Sequence, residues 1–268
     1  MINNMLLTAI IIVLREVLEI TLLTSLLASV GKYLGIQFHH FALALLSGLA
    51  FAYLYAENLS TISELFDYTG QEWINSILQI TIYVSLACFI ILLCSNPHRM
   101  NNLKRLMMCL MLMPIVLALT REGSEIYIYI DSFFHGNRSV FPVVVGSIIG
   151  SCIGLSIGAL IYYALISCPL EKRLTIVKCA LAVTACGILS QAVSLLLQAD
   201  VLHSYPALWN SSEYLAEDSA IGQLLYAILG YEATPAPQQV IVYVVGLLLI
   251  ISGVVIHKYY GSKRAIDV

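Results

Sequence analysis

The sequence predicts an all-α integral membrane protein with seven transmembrane helices, its N-terminus outside and its C-terminus in the cytoplasm. Composition is the first reason, because 60% of the residues are hydrophobic and only 11% are charged, whereas a soluble domain carries about 25% charged residues. The second reason is a series of apolar segments that reach the length of about 20 residues needed to span a bilayer as helices. The third is the distribution of basic residues, which follows the positive-inside rule.

The seven apolar segments cover residues 5–30, 38–57, 74–95, 105–130, 141–167, 174–199 and 238–258. Short polar connections separate them, apart from a longer stretch between the sixth and the seventh. The first segment follows MINN, which lacks the basic region of a signal peptide, so we expect the segment to be retained. We therefore expect residues 1–268 to form a single transmembrane domain.

Orientation follows from the lysines and arginines. With the N-terminus outside, the basic residues in or beside the inner connections are Lys32, Arg99, Lys104, Arg105, Lys172, Arg173, Lys178, Lys258, Lys263 and Arg264. Only Arg138 falls outside, and the remaining two, Arg15 and Arg121, lie within segments. Because cytoplasmic loops are enriched in basic residues, this arrangement predicts an outer N-terminus and a cytoplasmic C-terminus.

The pattern R-E-x-x-E occurs twice, at Arg15–Glu19 in the first segment and at Arg121–Glu125 in the fourth. These two segments run in opposite directions, so a repeat of three helices returns inverted, as in many secondary transporters. We expect inverted halves over about residues 5–95 and 105–199, with the seventh helix as an addition.

Helical spacing predicts how each motif is presented. Residues three or four apart share a helix face, so each motif presents two glutamates together, with an arginine four residues before the second glutamate. At a rise of 1.5 Å per residue, Glu16 lies roughly 16 Å below the outer start of its segment and Glu122 roughly 12 Å below the outer end of its own. The two motifs therefore reach similar depths and can face each other.

Six charges inside a membrane need compensation, because each costs roughly 2.5 to 3.5 kcal/mol at the centre of a bilayer. Ion pairs at Arg15–Glu19 and Arg121–Glu125 would suffice for a purely structural cross-link, which is one interpretation. Each motif, however, keeps a second glutamate without a base, and such carboxylates need a cation or a proton. Carboxylates suit hard cations. The favoured interpretation is a metal site, with its ligands and its two supporting arginines at Glu16, Glu19, Glu122, Glu125, Arg15 and Arg121.

Acidic residues collect in the outer connections and could concentrate cations at the entrance to this site. The candidates for this outer capture are Glu64, Asp67, Glu72, Glu213 and Asp218. Ordinary solvated loops are the alternative interpretation.

Other classes of protein are disfavoured. The chain has no Walker-type nucleotide motif and no Glu-x-x-His pair typical of di-iron bundle enzymes, so we expect neither an enzyme nor a resident cofactor. Its seven cysteines include no C-x-x-C, which argues against a disulfide framework or a zinc site. A permease for another cation, such as Mn, Pb or Cu, stays open, since the thioethers of Met107 and Met111 suit Cu(I). A membrane redox protein is the remaining alternative.

A glycine appears every fourth residue in the fifth segment, at Gly146, Gly150, Gly154 and Gly158. Such a stripe lets another backbone approach closely. We expect it to pack within the chain, with a homodimer seam as the alternative.

The doubled R-E-x-x-E motif, in the first and fourth of seven spans, resembles the high-affinity iron permease family, whose fungal members work with a multicopper ferroxidase. The bacterial seven-helix members are the most similar in pattern. Supporting features are LWN at Leu208–Asn210 and LLYAILGYEATPAP at Leu224–Pro237. The resemblance implies inward movement of Fe(III) or Fe(II) across a bacterial cytoplasmic membrane, with the motif glutamates binding iron in passage. It also implies a periplasmic partner that binds or oxidises iron.

The chain departs from the family pattern R-E-G-L-E, having Val17 in the first copy and Ser124 in the second. Neither position supplies a carboxylate, so the ligand set is unaffected. Family members often carry a further glutamate near the outer start of the third helix. This chain has Asn75 there, with Glu72 close by, which leaves a third-helix ligand open.

Overall fold

The computed structural model describes residues 2–94, 103–134, 140–217 and 219–264, and within these ranges the chain is helical and contains no strand. Arg99, Arg138 and Asp218, which carry sequence predictions, lie outside the described residues. The helices are α1 (Ile2–Gly31), α2 (Phe38–Glu57), α3 (Leu59–Ser63), α4 (Leu65–Tyr68), α5 (Gly70–Leu93), α6 (Lys104–Phe134), α7 (Phe141–Ser167), α8 (Leu170–Gln198), α9 (Ala220–Leu229) and α10 (Pro237–Arg264).

Six helices among the described residues are long and apolar enough to cross a membrane, namely α2, α5, α6, α7, α8 and α10. The chain is thus a helical, multi-pass membrane protein. Helix α1 has 30 residues, but its central turns carry Arg15, Glu16 and Glu19, and every membrane-length stretch of it contains all three charges, which sets it apart from the six. Several helices extend beyond the predicted segments, because hydropathy marks only the apolar part of a helix and not its polar ends.

The long helices associate in three pairs, α1 with α7, α2 with α6, and α5 with α8. The first pair is built on the glycine stripe of α7. A Cβ atom at Gly146 would lie 2.7 Å from the carbonyl oxygen of Leu6, and one at Gly150 would lie 2.6 Å from that of Ile10. Absence of a side chain therefore lets the two backbones touch.

All four glycines of this stripe, Gly146, Gly150, Gly154 and Gly158, are buried, and α1 of the same chain covers them. This is the expected packing within the chain. A homodimer seam through these glycines, the alternative, would need the face that α1 covers.

The pair α2 and α6 uses a similar device that the sequence interpretation missed. Helix α2 buries Phe41 and then small residues at every fourth position, Ala44, Gly48 and Ala52. A Cβ atom at Gly48 would lie 2.9 Å from the Cβ of Leu119 on α6. Each half of the chain therefore has a long helix that docks through a stripe of small side chains.

Below the charged motifs, the apolar core joins α1, α5, α6 and α8, with Leu27, Leu86, Phe89 and Leu181 among its fully buried members. Met107 and Met111, which suggested a copper route, are buried in this same cluster. Their thioethers fill space between helices, a role that suits the flexible methionine side chain.

Helix α9 is short and lies against α1 and α8. Ser219 caps its N-terminus, the hydroxyl accepting a hydrogen bond from the backbone N–H of Gly222 at 3.0 Å. It ends at Gly230, whose φ of 67° is a left-handed conformation that glycine adopts without strain. Gly230 also meets Gly187 of α8, where an added Cβ would lie 2.8 Å from the Gly230 nitrogen. These two glycines let the end of α9 dock on the bundle.

Candidate metal site

The two R-E-x-x-E motifs meet between α1 and α6. Glu16, Glu122 and Glu125 each offer one carboxylate oxygen, and these three oxygens all lie within 4.8 Å of one another. Glu16 and Glu122 are buried, while the side chain of Glu125 remains 34% exposed. We call this group the carboxylate trio. Its partial exposure at Glu125 leaves one side of the trio open.

Arg121 connects the glutamates around it. Its Nη1 lies 2.7 Å from Glu122 Oε1, its Nε lies 3.4 Å from Glu125 Oε1, and Nη1 lies 3.9 Å from Glu19 Oε2. The guanidinium group is buried, so these contacts operate with little screening by water. Arg121 therefore holds two members of the trio in place and offsets part of their negative charge.

Arg15 occupies a different environment. Its Nε lies 3.9 Å from Glu19 Oε1, and its guanidinium carbon lies 4.0 Å from the centre of the Tyr226 ring on α9. A cation over an aromatic face is attracted by the ring quadrupole. Sequence reasoning did not single out Tyr226, although it lies within the LLYAILGYEATPAP stretch that carries the family resemblance.

Glu19 is not part of the trio. Its two oxygens face the two arginines, each at 3.9 Å, and Oε1 has no hydrogen-bond partner among the described residues. The sequence interpretation grouped four glutamates into one ligand set. The structure instead brings three together and sets the fourth beside Arg15 and Arg121.

A pair of buried amides adjoins Arg121. Gln191 Oε1 on α8 accepts a hydrogen bond from Gln79 Nε2 on α5 at 2.9 Å and another from Arg121 Nη1 at 3.3 Å. Both glutamines are buried. The sequence interpretation overlooked them, yet a glutamine within an apolar span is itself a signal, because a buried amide requires partners.

The sequence left undecided whether the third helix supplies a ligand, and the residue at that position, Asn75, is hydrogen-bonded within the protein. Asn75 is buried, and its Oδ1 accepts a hydrogen bond from the hydroxyl of Tyr55 at 3.0 Å. Glu72, half-buried one turn earlier, has a buried Oε2 without a hydrogen-bond partner in the described part of the chain. Neither residue belongs to the trio.

The acids predicted to lie in the outer connections are not members of the trio. Glu64, Asp67 and Glu213 are exposed, and Asp218 is outside the described residues. Glu217, which precedes α9, accepts a hydrogen bond from the backbone N–H of Ala233 at 2.5 Å. It thereby ties the stretch before α9 to the one after it.

The trio has the chemistry of a hard-cation site. It supplies three oxygen ligands from two helices, and carboxylate oxygens are preferred by hard cations over soft ones. Arg121 and Arg15 neutralise part of the group without supplying any ligand, because guanidinium groups only donate hydrogen bonds.

Comparison with known proteins gives one match. The sequence model of the iron permease FTR1 family matches residues 98–266, which is more than half of the chain. The matched region contains the second motif, the buried Gln191, α9 and α10, while the first motif lies before it. No curated protein and no solved structure matches the chain.

Proposed function

The chain belongs to the iron permease FTR1 family, and on that premise we propose that it moves iron inward across a bacterial cytoplasmic membrane through the carboxylate trio. The observation that carries this proposal is the meeting of Glu16, Glu122 and Glu125 between two opposed helices. Three carboxylates held together inside an apolar bundle repel each other strongly, and a bound cation relieves that repulsion.

We infer that α1 is the seventh transmembrane helix and that the halves are inverted repeats. Exchanging the first three long helices (α1, α2, α5) with the second three (α6, α7, α8) turns the pair α1–α7 into α6–α2. It leaves the pair α5–α8 unchanged. The observed pairing supports a repeat, three membrane-spanning helices in each half would make it inverted, and the small-residue stripes on α7 and α2 occupy equivalent positions.

An N-out, C-in orientation would turn the trio towards the periplasm. Glu64, Asp67, Glu72, Glu213 and Asp218 would then concentrate cations at the outer mouth, where a periplasmic iron-binding or iron-oxidising protein would deliver iron. A potential of 100 mV, negative inside, favours inward movement of a trivalent ion by roughly 7 kcal/mol. The membrane potential is then a sufficient driving force.

We propose Fe(III) as the transported species, with Fe(II) as the alternative that experiment separates. A trio of formal charge −3 suits a trivalent ion, and the buried Arg121 keeps the site from holding that ion too tightly. A transport site must bind well enough to admit an ion and weakly enough to release it.

The test is iron uptake into proteoliposomes, with Fe(III) and Fe(II) offered separately to the native protein and to the double variant Glu16→Gln plus Glu122→Gln. The matched control is Glu57→Gln plus Glu171→Gln, which makes the same chemical changes at exposed positions that have no part in the proposed site or in cation capture. We expect uptake by the native protein and by the control, and none by the variant of the buried glutamates.

Equal uptake by all three proteins would show that the buried glutamates are scaffolding. Competition by Mn(II), Pb(II) or Cu(I) at concentrations equal to that of iron would identify a permease for another cation. Both outcomes would refute the proposal.

A further inference from the structure

A small cavity lies next to the carboxylate trio, displaced towards one end of the bundle. Its volume is about 20 Å³, and its polar lining comes from Glu19, Gln79, Arg121, Glu122 and Thr184. On α1, Glu19 is one turn closer than Glu16 to Gly31, about 4.5 Å along the axis. On α6, Ala118, which also lines the cavity, is one turn closer than Glu122 to Lys104. Both displacements point to the end that the basic residues assign to the cytoplasm.

The polar lining is rich in acceptors that lack donors. Glu19 Oε1, Glu122 Oε2 and Gln79 Oε1 are all buried, and none has a hydrogen-bond partner in the described ranges. The hydroxyl of Thr184 donates to the backbone carbonyl of Ile228 at 3.2 Å, which leaves its lone pairs available as an acceptor. Buried acceptors cost free energy unless a cation or a donor satisfies them.

The orientation of Gln79 follows from Arg121. Because a guanidinium group only donates, the Gln191 atom that faces Arg121 is its carbonyl oxygen. Gln79 also meets that oxygen, so it presents its Nε2 there, at 2.9 Å. Its own Oε1 is left over, on a side chain that is fully buried. Arg121 thus fixes the orientation of both amide groups, so that Gln79 adds an oxygen, and not an N–H group, to the lining of the cavity.

We propose that this cavity is an inner transit site for the transported cation, with Glu19, Glu122, Gln79 and Thr184 as its oxygen ligands. The proposal rests on the proposed function and extends it from one binding site to two, which we call the outer station (the trio) and the inner station (the cavity). Glu122 belongs to both stations, so the ion passes inward by exchanging the other ligands around that carboxylate. A cavity of this size has room for about one water molecule, so an ion there is bound directly by protein oxygens.

Neutral ligands explain how this station releases its ion. The trio is made of three carboxylates, whereas the inner station combines two carboxylates with an amide and a hydroxyl and lies beside the charge of Arg121. Conduction requires sites that do not hold the ion too strongly. The inner station therefore governs the maximal rate of uptake, while the trio governs the iron concentration at half-saturation.

The experiment compares the kinetics of iron uptake into proteoliposomes by the native protein and by Gln79→Leu, Gln79→Glu and Thr184→Val. Fe(III) or Fe(II) is supplied in the external solution. We expect Gln79→Leu to lower the maximal rate by at least about tenfold, as loss of a group supporting a metal does, with half-saturation unchanged. Gln79→Glu restores an oxygen ligand, so its maximal rate should exceed that of Gln79→Leu, while the added charge slows release and keeps the rate below that of the native protein. Thr184→Val keeps its shape and should lower the rate in the same direction.

The matched control is Ser76→Ala. Ser76 also joins α5 to α8, its hydroxyl donating to the carbonyl oxygen of Ala192 at 3.1 Å, but it does not line the cavity. Native rates in Ser76→Ala would show that losing a cross-link between these helices is not the cause of the effect at Gln79.

Three results would overturn the inner site: a native rate in Gln79→Leu, equal impairment of Gln79→Leu and Gln79→Glu, or equal impairment of Ser76→Ala. Should Gln79→Leu aggregate, a native rate in Thr184→Val would overturn it as well. Failure of the proposed function looks different, because then either the native protein takes up no iron or Glu16→Gln plus Glu122→Gln leaves uptake unchanged. If Glu16→Gln abolishes uptake while Gln79→Leu keeps the native rate, the proposed function is supported and the inner site is refuted.

Discussion

The two R-E-x-x-E motifs contain the same charges, yet the structure surrounds them differently. The Arg121 side chain is 9% exposed and forms ion pairs with Glu19, Glu122 and Glu125. The Arg15 side chain is 38% exposed, and Glu19 is its one ion-pair partner among the described residues. The second motif therefore has its arginine at the centre of the charged group, and the first has its arginine at the edge. Equal sequence motifs do not give equal electrostatic roles.

The difference arises from the neighbouring helices. Helix α6 is packed by α1, α2 and α5, so its motif is enclosed. Helix α1 packs on α7 along one face and meets α9 along another, and α9 covers Arg15 with an aromatic ring instead of a carboxylate. The element that breaks the symmetry, α9, lies outside both proposed repeats.

Replacing the two arginines should give the largest contrast. Arg121→Met should destabilise the protein by about 3 to 5 kcal/mol, because it leaves buried carboxylates without their partner. Arg15→Met should cost about 1 kcal/mol, as for a partly exposed ion pair. Thermal unfolding in detergent measures both.

The double variant Arg121→Met plus Glu122→Gln serves as the control, since it also removes the Glu122 charge that Arg121→Met leaves without a partner. It should recover a large part of the lost stability. Equal destabilisation by the two single arginine variants would contradict the asymmetry of the motifs.

The small-residue stripes offer a second comparison between the halves. Gly150→Val would push a Cβ towards the backbone oxygen of Ile10, which cannot move aside, whereas Gly48→Val would meet the side chain of Leu119. Overpacking typically costs about 1 to 3 kcal/mol. We expect Gly150→Val at or above the upper end and Gly48→Val near the lower end.

Thermal unfolding again provides the measurement for the glycine variants. Gly150→Ala and Gly48→Ala, which add only a methyl group, test the same ranking with a smaller perturbation. A larger loss at Gly48 than at Gly150 would mean that α2 and α6 approach each other more closely than α1 and α7.

A feature of this arrangement could be predicted from the sequence when it depends on residues close together along the chain. The long apolar helices and the glycine stripe of α7 were predictable, because length and periodicity are local properties. The stripe on α2 was missed because it consists of Ala44, Gly48 and Ala52, with a single glycine. Its period of four is not visible in a helix that contains other alanines.

The candidate site was predictable in part. Buried glutamates at helical spacing indicate a shared face, and the similar depths of Glu16 and Glu122 in two oppositely directed helices favour their meeting. The division of the four glutamates into a trio and Glu19 was not predictable, since it depends on where Arg121 points. The roles of Gln79, Gln191 and Tyr226 likewise depend on contacts between helices far apart in sequence.

Removing the ring over Arg15 should have a smaller effect than removing Arg121. Tyr226→Leu should cost about 0.5 to 2 kcal/mol, the range for a cation–π contact, whereas Tyr226→Phe keeps the ring and should cost less. Thermal unfolding of both variants in the Arg15→Met background completes a double-mutant cycle. Additive losses in that cycle would show that Tyr226 packs on the bundle without contributing to Arg15.

The smallest expected effect lies at Glu232, between α9 and α10, where Gln239 Nε2 donates to both carboxylate oxygens at 2.7 and 2.6 Å. Burial raises the pKa of Glu232 above its ordinary value of 4.5, and the nearby charge of Glu217 acts in the same direction. A carboxyl whose pKa is raised by folding binds more protons in the folded state, so its contribution to stability is present below pH 4.5 and is lost as pH rises through the folded pKa.

Glu232→Gln removes this titration and keeps an oxygen for Gln239. The variant should therefore melt at a higher temperature than the native protein at neutral pH, and the gain should shrink as the pH falls towards 4.5. Unfolding temperatures measured in detergent across that range provide the check. A gain that is flat with pH would mean that Glu232 contributes no proton-linked stability.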